Sequence, residues 1–423
     1  MKYSLDEKPE MVPLLLYGLQ WLVVSLPSVI IMGMVVARLH FTGIGEQIAY
    51  MQKLFWLMGA VTVVQVYWGH RLPLVVGPAS TLLVGLVASV SAGVNAMYSA
   101  ILVGGALLAL AALTGVLSKL RVFFTARIVA VILVLIAFTL SPTILRLVAG
   151  GTGGHASANL CFALVMAFAL VICNAGLPGI WKSLTVLFGI GLGSLCYFFA
   201  FGLPAVPAMP ESGEGTRFFL SAFEPHPGAL LSFLFCFLAL TINELGSIES
   251  VGHMLQAEGM DARIKRGAGL QGAANMAAGA LGVIGPVDFS FSAGLITATG
   301  CASRHTLVPA GIGLALCGFF PHLVLLFSCI PGVVMGALML YLMTTQLAGG
   351  LTVLTQSGGV TDFAGGVIMG LPLMIGLLIS FAPPEVLGGF PEFLRPVVGN
   401  GFVMGTVAVI LLEHVVFRKK TAG

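Results

Sequence analysis

The sequence predicts an all-α polytopic membrane protein with fourteen transmembrane segments in two inverted seven-span repeats, and with short extended stretches in segments 3 and 10. Three observations carry that expectation. Of 423 residues, 58% are hydrophobic and 8% charged, with a mean hydropathy of +1.06, whereas a soluble domain is about one quarter charged. Apolar stretches recur that approach the roughly 20 residues a helix needs to cross about 30 Å of hydrocarbon. Two Gly-Pro breaks, Gly77-Pro78 and Gly285-Pro286, fall in the third segment of each half.

In chain order the segments are read at 12–36, 54–69, 72–92, 96–118, 123–141, 157–175 and 180–203, then at 228–252, 267–284, 287–302, 306–328, 331–350, 364–382 and 397–417. The first repeat thus covers 11–203 and the second 227–417. Interrupted segments at matching places in two halves point to a transporter binding site, and an odd number of spans per repeat forces the second to sit inverted. The longest connections are expected around 38–53, 204–226 and 257–266, none able to hold a soluble domain. The polar lead before Pro13 reads as lacking a signal peptide. Glycine, at 55 residues, suits close helix packing; Gly366-Val-Ile-Met-Gly370 and the run Gly189, Gly191, Gly193 are expected to make such contacts.

Charge orients the chain. Of 19 Lys and Arg, five (Arg38, Lys53, Arg146, Arg217, Arg395) fall on one side and the remaining fourteen on the other. By the positive-inside rule both termini are cytoplasmic, the 204–226 connection is external, and the protein is a multi-pass component of the plasma (inner) membrane, in contact with lipid. A net charge of +3 gives no reason to expect nucleic acid as a partner. The seven cysteines show no CxxC pairing and read as small buried hydrophobes rather than a disulfide or zinc framework. No metal site and no organic cofactor are expected.

The chemistry concentrates in 238–304, where acidic side chains lie inside strongly apolar sequence. An ionisable group in the bilayer costs about 2.5–3.5 kcal/mol on insertion scales and marks a site or pathway. Glu249 and His253, four apart, share a helix face, and a carboxylate beside an imidazole makes a proton-carrying pair. Glu244 lies about 140° round the same helix and can bond the backbone of the broken segments or join the coupling path. In segment 10, Asp288, Phe289, Ser290, Phe291 and Ser292 alternate as a short strand does, leading into a helix that Ser290 or Ser292 would cap. Ala79 and Ser80 open the equivalent helix of segment 3. Two half-helix N-termini meeting near the midplane make a pocket for an anionic or strongly hydrogen-bonding solute. HExxH and GxSxG motifs are absent, so an enzyme is not expected.

Glu249-Ser-Val-Gly-His253 resembles the Glu-x-Ile-Gly-His/Asp motif on the eighth helix of the nucleobase–ascorbate (nucleobase–cation symporter) family. Gly269-Leu270, the run from Gly282 to Gly294 ending at Arg304, Ile330-Pro-Gly-Val-Val-Met-Gly336 and Leu72-Pro-Leu-Val-Val-Gly-Pro-Ala-Ser80 are similar to its ninth to twelfth and third segments. The resemblance covers essentially the whole chain. It implies a core domain (11–118 and 227–328) that slides against a gate domain (123–203 and 331–417) in an elevator-like alternating-access cycle. It also implies symport of uracil, xanthine or another purine with protons, or with sodium, by a homodimer joined through the gate. Glu249 would hydrogen-bond the base, His253 would assist it, and Trp21, Ala79, Ser80, Asp288, Phe289, Ser290, Phe291 and Ser292 would complete the pocket. Two positions depart from the family: Phe291-Ser-Ala-Gly294 stands where Gln/Glu-Asn-x-Gly is usual, and Trp21 replaces a first-helix histidine. A carrier of a small inorganic or organic anion on the same fold is the second reading.

With the native cysteines removed, a cysteine introduced at Ser212 is expected to react with an impermeant thiol reagent from outside only. Labelling confined to the cytoplasmic face overturns the topology.

Overall fold

A computed structural model describes residues 2–117, 125–150, 156–178, 185–202, 219–289, 292–356, 362–391 and 394–417. The first half comprises α1 (Met11–His40), α2 (Ile44–Tyr67), strand β1 (Val75–Pro78), α3 (Ser80–Ala88), α4 (Val94–Thr114), α5 (Ala126–Thr139), α6 (Ser141–Ala149), α7 (Ala156–Gly176) and α8 (Thr185–Phe201). The second comprises α9 (Pro227–Met254), α10 (Met260–Leu281), strand β2 (Pro286–Phe289), α11 (Ser292–Thr299), α12 (Leu307–Cys317), α13 (Pro321–Ser328), α14 (Gly332–Gln356), α15 (Phe363–Ser380), α16 (Pro384–Gly388), α17 (Arg395–Val398) and α18 (Gly401–Leu411). Among the described residues, seven helices are long and apolar enough to cross a membrane unaided. By contrast α3 and α11, with 9 and 8 residues, are half-length helices, each entered through a strand.

Three local expectations are corrected. The stretch around 38–53 is helix on both sides of a short turn at 41–43. Glu46, Gln47, Gln52 and Lys53 mask an amphipathic stripe of Ile48, Met51, Leu54 and Phe55, all buried, that carries α2 ten residues upstream of 54. The 257–266 link is largely the first turns of α10. The eleventh segment, 306–328, is two helices bent by 83°; Pro321 opens the second, where a proline in first position removes no helical hydrogen bond.

The helices pack in two groups: α1–α4 with α9–α12, and α5–α8 with α14, α15 and α18. They meet where α1, α3 and α9 face α5, α8, α14 and α17. Glycine sets the closest approach. On the α4–α10 seam a Cβ on Gly272 would stand 2.7 Å from the carbonyl oxygen of Gly105, and one on Gly279 2.7 Å from that of Tyr98. Gly189 and Gly193 likewise abut Leu170, Leu338 and Met166, as the small-residue pattern led one to expect. Gly191, Gly366 and Gly370 do not: among the described residues nothing stands within 4 Å of a Cβ at any of them, so the GxxxG of α15 makes no close contact with those residues.

Residues 2–7 form a strap along 300–304. Lys2 N–H donates to Gly300 O (2.6 Å), Ala302 N–H to Tyr3 O (3.1 Å) and Arg304 N–H to Leu5 O (3.1 Å). The Ser303 hydroxyl donates to Glu7 O at 2.5 Å, and Arg304 pairs with Asp6 at 2.7 Å while donating to Val66 O at the end of α2.

Gly272→Leu is expected to lower the thermal unfolding midpoint of the purified protein by several degrees or abolish folding, because backbone on α4 occupies the space a side chain needs. Gly366→Leu should leave the midpoint within a degree or two. Equal effects of the two would overturn the assignment of close packing to the α4–α10 seam.

Candidate functional site

The strands pair antiparallel, with Val75 opposite Phe289, Val76 opposite Asp288, Gly77 opposite Val287 and Pro78 opposite Pro286. Proline lacks an N–H, so the two prolines end the ladder together, and Ala79 N–H closes it on Gly285 O at 2.9 Å. Because the strands run in opposite directions, α3 and α11 leave the crossing in opposite directions, each with its N-terminus at the ladder. No side chain caps α3, whose Ala79 is buried and extended and whose Ser80 is half-buried. Unpaired N–H groups and the positive dipole end at such a terminus favour an anion or a strong acceptor. The Ser292 hydroxyl accepts Val75 N–H (3.0 Å) and donates to Phe289 O (2.7 Å), tying the start of α11 to β1. Ser290 and Phe291 lie outside the described residues.

Gly77 lets a ring lie against the ladder. A Cβ there would be 2.6 Å from Phe289 Cζ and 3.2 Å from Ser28 Oγ. The other side of β2 is held by polar side chains of α9 and α10. Glu244 accepts Asp288 N–H at 3.0 Å, Ser247 donates to Asp288 O at 3.1 Å, and Asn275 donates to Pro286 O at 3.1 Å. His70 places Nε2 3.1 Å from the Asp288 carboxylate, both side chains fully buried. Gln65 bridges to Gly267 O and to Gln271.

Three more of the expected residues belong to α9 and α1. Glu249, half-buried, lines a cavity of 360 Å³ with Ala112 of α4, Leu117 just past its end, and Asp261, Ile264 and Lys265 of α10. His253 is exposed, as are Gly246 and Ser250. Trp21 is buried, its indole N–H donating to Thr306 at 3.0 Å. The structure therefore gathers Ala79, Ser80, Asp288, Phe289, Ser292 and Glu244 at the crossing, and packs Trp21 into the same apolar cluster as Val75, Phe289 and Leu295. Sequence reasoning missed His70, Ser247 and Asn275. The available signal was polar spacing: Gln271 and Asn275 are four apart, as are Asn243 and Ser247. Among the described residues no group of three or more His, Cys, Asp or Glu is placed to hold a metal ion.

The model of the Permease family (xanthine/uracil permeases) matches residues 13–385. A putative purine permease of Clostridium perfringens is 25% identical over 99% of this chain and 94% of its own. A nucleobase transporter of Paenibacillus larvae is 25% identical over 89% of this chain and 88% of its own, and the xanthine permease of Bacillus subtilis 25% identical over 88% and 87%. In fold, the chain is similar to the transmembrane domain of the cyanobacterial bicarbonate transporter BicA, with a TM-score of 0.64 at 16% identity, covering 87% of this chain and 95% of that one. The murine anion transporter Slc26a9 in its inward-facing state gives 0.62 at 13% identity, covering 97% and 69%.

Gly77→Val is expected to displace the Phe289 ring and lower the unfolding midpoint by several degrees, and Phe289→Ala in the same chain should recover part of the loss. Purely additive losses would overturn the contact.

Proposed function

We propose that this chain, which belongs to the Permease family of xanthine/uracil permeases, is a secondary active transporter of a nucleobase of the purine or uracil kind. It is a membrane transport protein, not an enzyme. The observation that supports this reading best is the antiparallel crossing, where two half-helices present N-termini to one place inside an apolar helical body. The purine, nucleobase and xanthine specificities in the names of its relatives supply the solute class.

In this reading the chain crosses the membrane fourteen times in two inverted sevens, with both termini cytoplasmic. The core (11–118 and 227–328) carries the crossing past the gate (123–203 and 331–417) in an elevator-like cycle, and the gate joins two copies into a dimer. The solute lies against Ala79, Ser80 and Phe289. Glu249, which carries the family-like motif two residues after Ser247 on α9, hydrogen-bonds the base, and His253 assists it. Transport is coupled to protons, with sodium as the alternative ion. Carriage of a small anion is the second reading, favoured by the uncapped end of α3 and by Phe291-Ser-Ala-Gly294 in place of an amide-bearing motif.

Uptake into proteoliposomes tests this reading. Labelled xanthine, uric acid and uracil are offered beside sulfate and bicarbonate, under imposed pH or sodium gradients. Accumulation of a base driven by the pH gradient is expected; accumulation of an anion alone overturns the nucleobase reading. Glu249→Ala should raise the KM for the transported base tenfold or more, since a hydrogen bond to a charged group is worth roughly 1.5–3 kcal/mol. An unchanged KM removes Glu249 from the binding role.

A further inference from the structure

The buried group behind β2 has more acceptors than donors. Glu244, Asp288 and His70 are each 0% exposed. Glu244 Oε2 receives Asp288 N–H, but among the described residues four acceptors, Glu244 Oε1, both carboxylate oxygens of Asp288 and Asn275 Oδ1, and two donors, His70 Nε2 and Gln271 Nε2, are buried without a hydrogen-bond partner. His70 Nδ1 accepts Leu72 N–H at 2.9 Å. In the neutral ring the hydrogen is therefore on Nε2, which faces Asp288 at 3.1 Å. Among the described residues a further charge near this group is Arg263 of α10, which spends Nη1 on the carbonyl oxygens of His70 (3.0 Å) and Arg71 (2.8 Å) rather than on a carboxylate. The remaining polar neighbours, Gln65, Ser247, Gln271 and Asn275, are uncharged.

Two carboxylates and one imidazole cannot reach neutrality in such a place without taking up a proton. With His70 charged the group still carries one net negative charge, and with His70 neutral it carries two. Like charges at close range in a desolvated site resolve themselves by sharing a proton.

We propose that Glu244 and Asp288 form a shared-proton site, faced by His70, and that this site is the coupling element of the transporter. The clause about coupling rests on the transport reading above; the proton site itself does not. The step is simple in its balance. Hydronium gives up a proton and becomes water, a free carboxylate oxygen of the pair takes the proton as a new O–H, and that O–H donates to the opposite carboxylate. Release runs the same step backwards.

The mechanical consequence is local. Glu244 is the acceptor for the N–H of Asp288, and the next residue of β2 is Phe289, whose ring lies against Gly77. A neutral carboxyl is a weaker acceptor than a carboxylate, so the charge of the pair sets how tightly β2 is drawn toward α9. Glu244, Asp288 and His70 act here as positioning residues, moving the wall of the crossing without needing to touch the solute.

Infrared spectroscopy of the purified protein in lipid bilayers, titrated with pH and with no solute present, tests the site. A protonated-carboxyl stretching band is expected at neutral pH that shifts on labelling with isotopic aspartate or glutamate and is lost on alkalinisation. Glu244→Gln and Asp288→Asn should each remove it, and His70→Gln should move its midpoint by at least one pH unit. The labelling arm works on the wild type and stands even where a variant does not fold. Absence of the band in wild type, its survival in both carboxyl variants, or its loss on adding sodium at constant pH would each overturn the proposal, the last in favour of a cation site. In proteoliposomes, Asp288→Asn should retain exchange of labelled xanthine while losing accumulation driven by pH, and full accumulation would overturn the coupling role. Should wild type carry no base at all, the transport reading fails while the infrared titration remains decisive for the proton site.

Discussion

A broken backbone at membrane depth has no water to satisfy it, and this single constraint organises the structure around 75–80 and 284–292. Each unmatched N–H or C=O there costs several kcal/mol. The solution is mutual: the two breaks pair with each other as an antiparallel ladder, and what the ladder leaves over is met by side chains of α9 and α10. Ser292 adds its hydroxyl to the first N–H of β1. The close seam between α4 and α10 belongs to the same solution, since Gly105 and Gly272 let α10 lie near enough to α4 while Asn275 reaches Pro286 on its other side.

Much of this was legible in the chain because glycine and proline act locally. The Gly-Pro pairs announced where helices must stop, and the alternation that follows the second, Val287-Asp-Phe-Ser, read as a few residues of strand. What pairs with what was not legible. The register depends on two segments some two hundred residues apart, and no local preference encodes it. His70 escaped notice for the same reason: it sits beside Trp68-Gly69 at the end of α2, outside the apolar interior, and becomes buried only when β2 and α10 close over it. The start of α2 was missed because its polar residues raised the mean polarity of a stretch whose periodicity was helical. The bend at Pro321 was hidden by continuous hydrophobicity, which signals depth but not direction.

The acidic residues illustrate how far spacing reaches. Helical periodicity separated Glu244 from Glu249 by more than a third of a turn, and they do face different neighbours. Periodicity gives relative faces; it does not say which face looks at the crossing. That was decided by α9 turning Glu244 and Ser247 onto the main chain of Asp288. A sequence motif drew the eye to Glu249, and packing brings Glu244 onto the break as well.

The strap formed by residues 2–7 gives the N-terminus a mechanical position. It is bonded to 300–304 directly after α11, and Arg304 fastens the same point to the end of α2. Anything fused to Met1 is therefore attached through six residues to the trailing end of the half-helix at the crossing. A fluorophore placed there would ride on that half-helix, and a bulky tag would load it. The C-terminal side of the chain packs with the other group of helices, so labels at the two ends would report on two different helix groups.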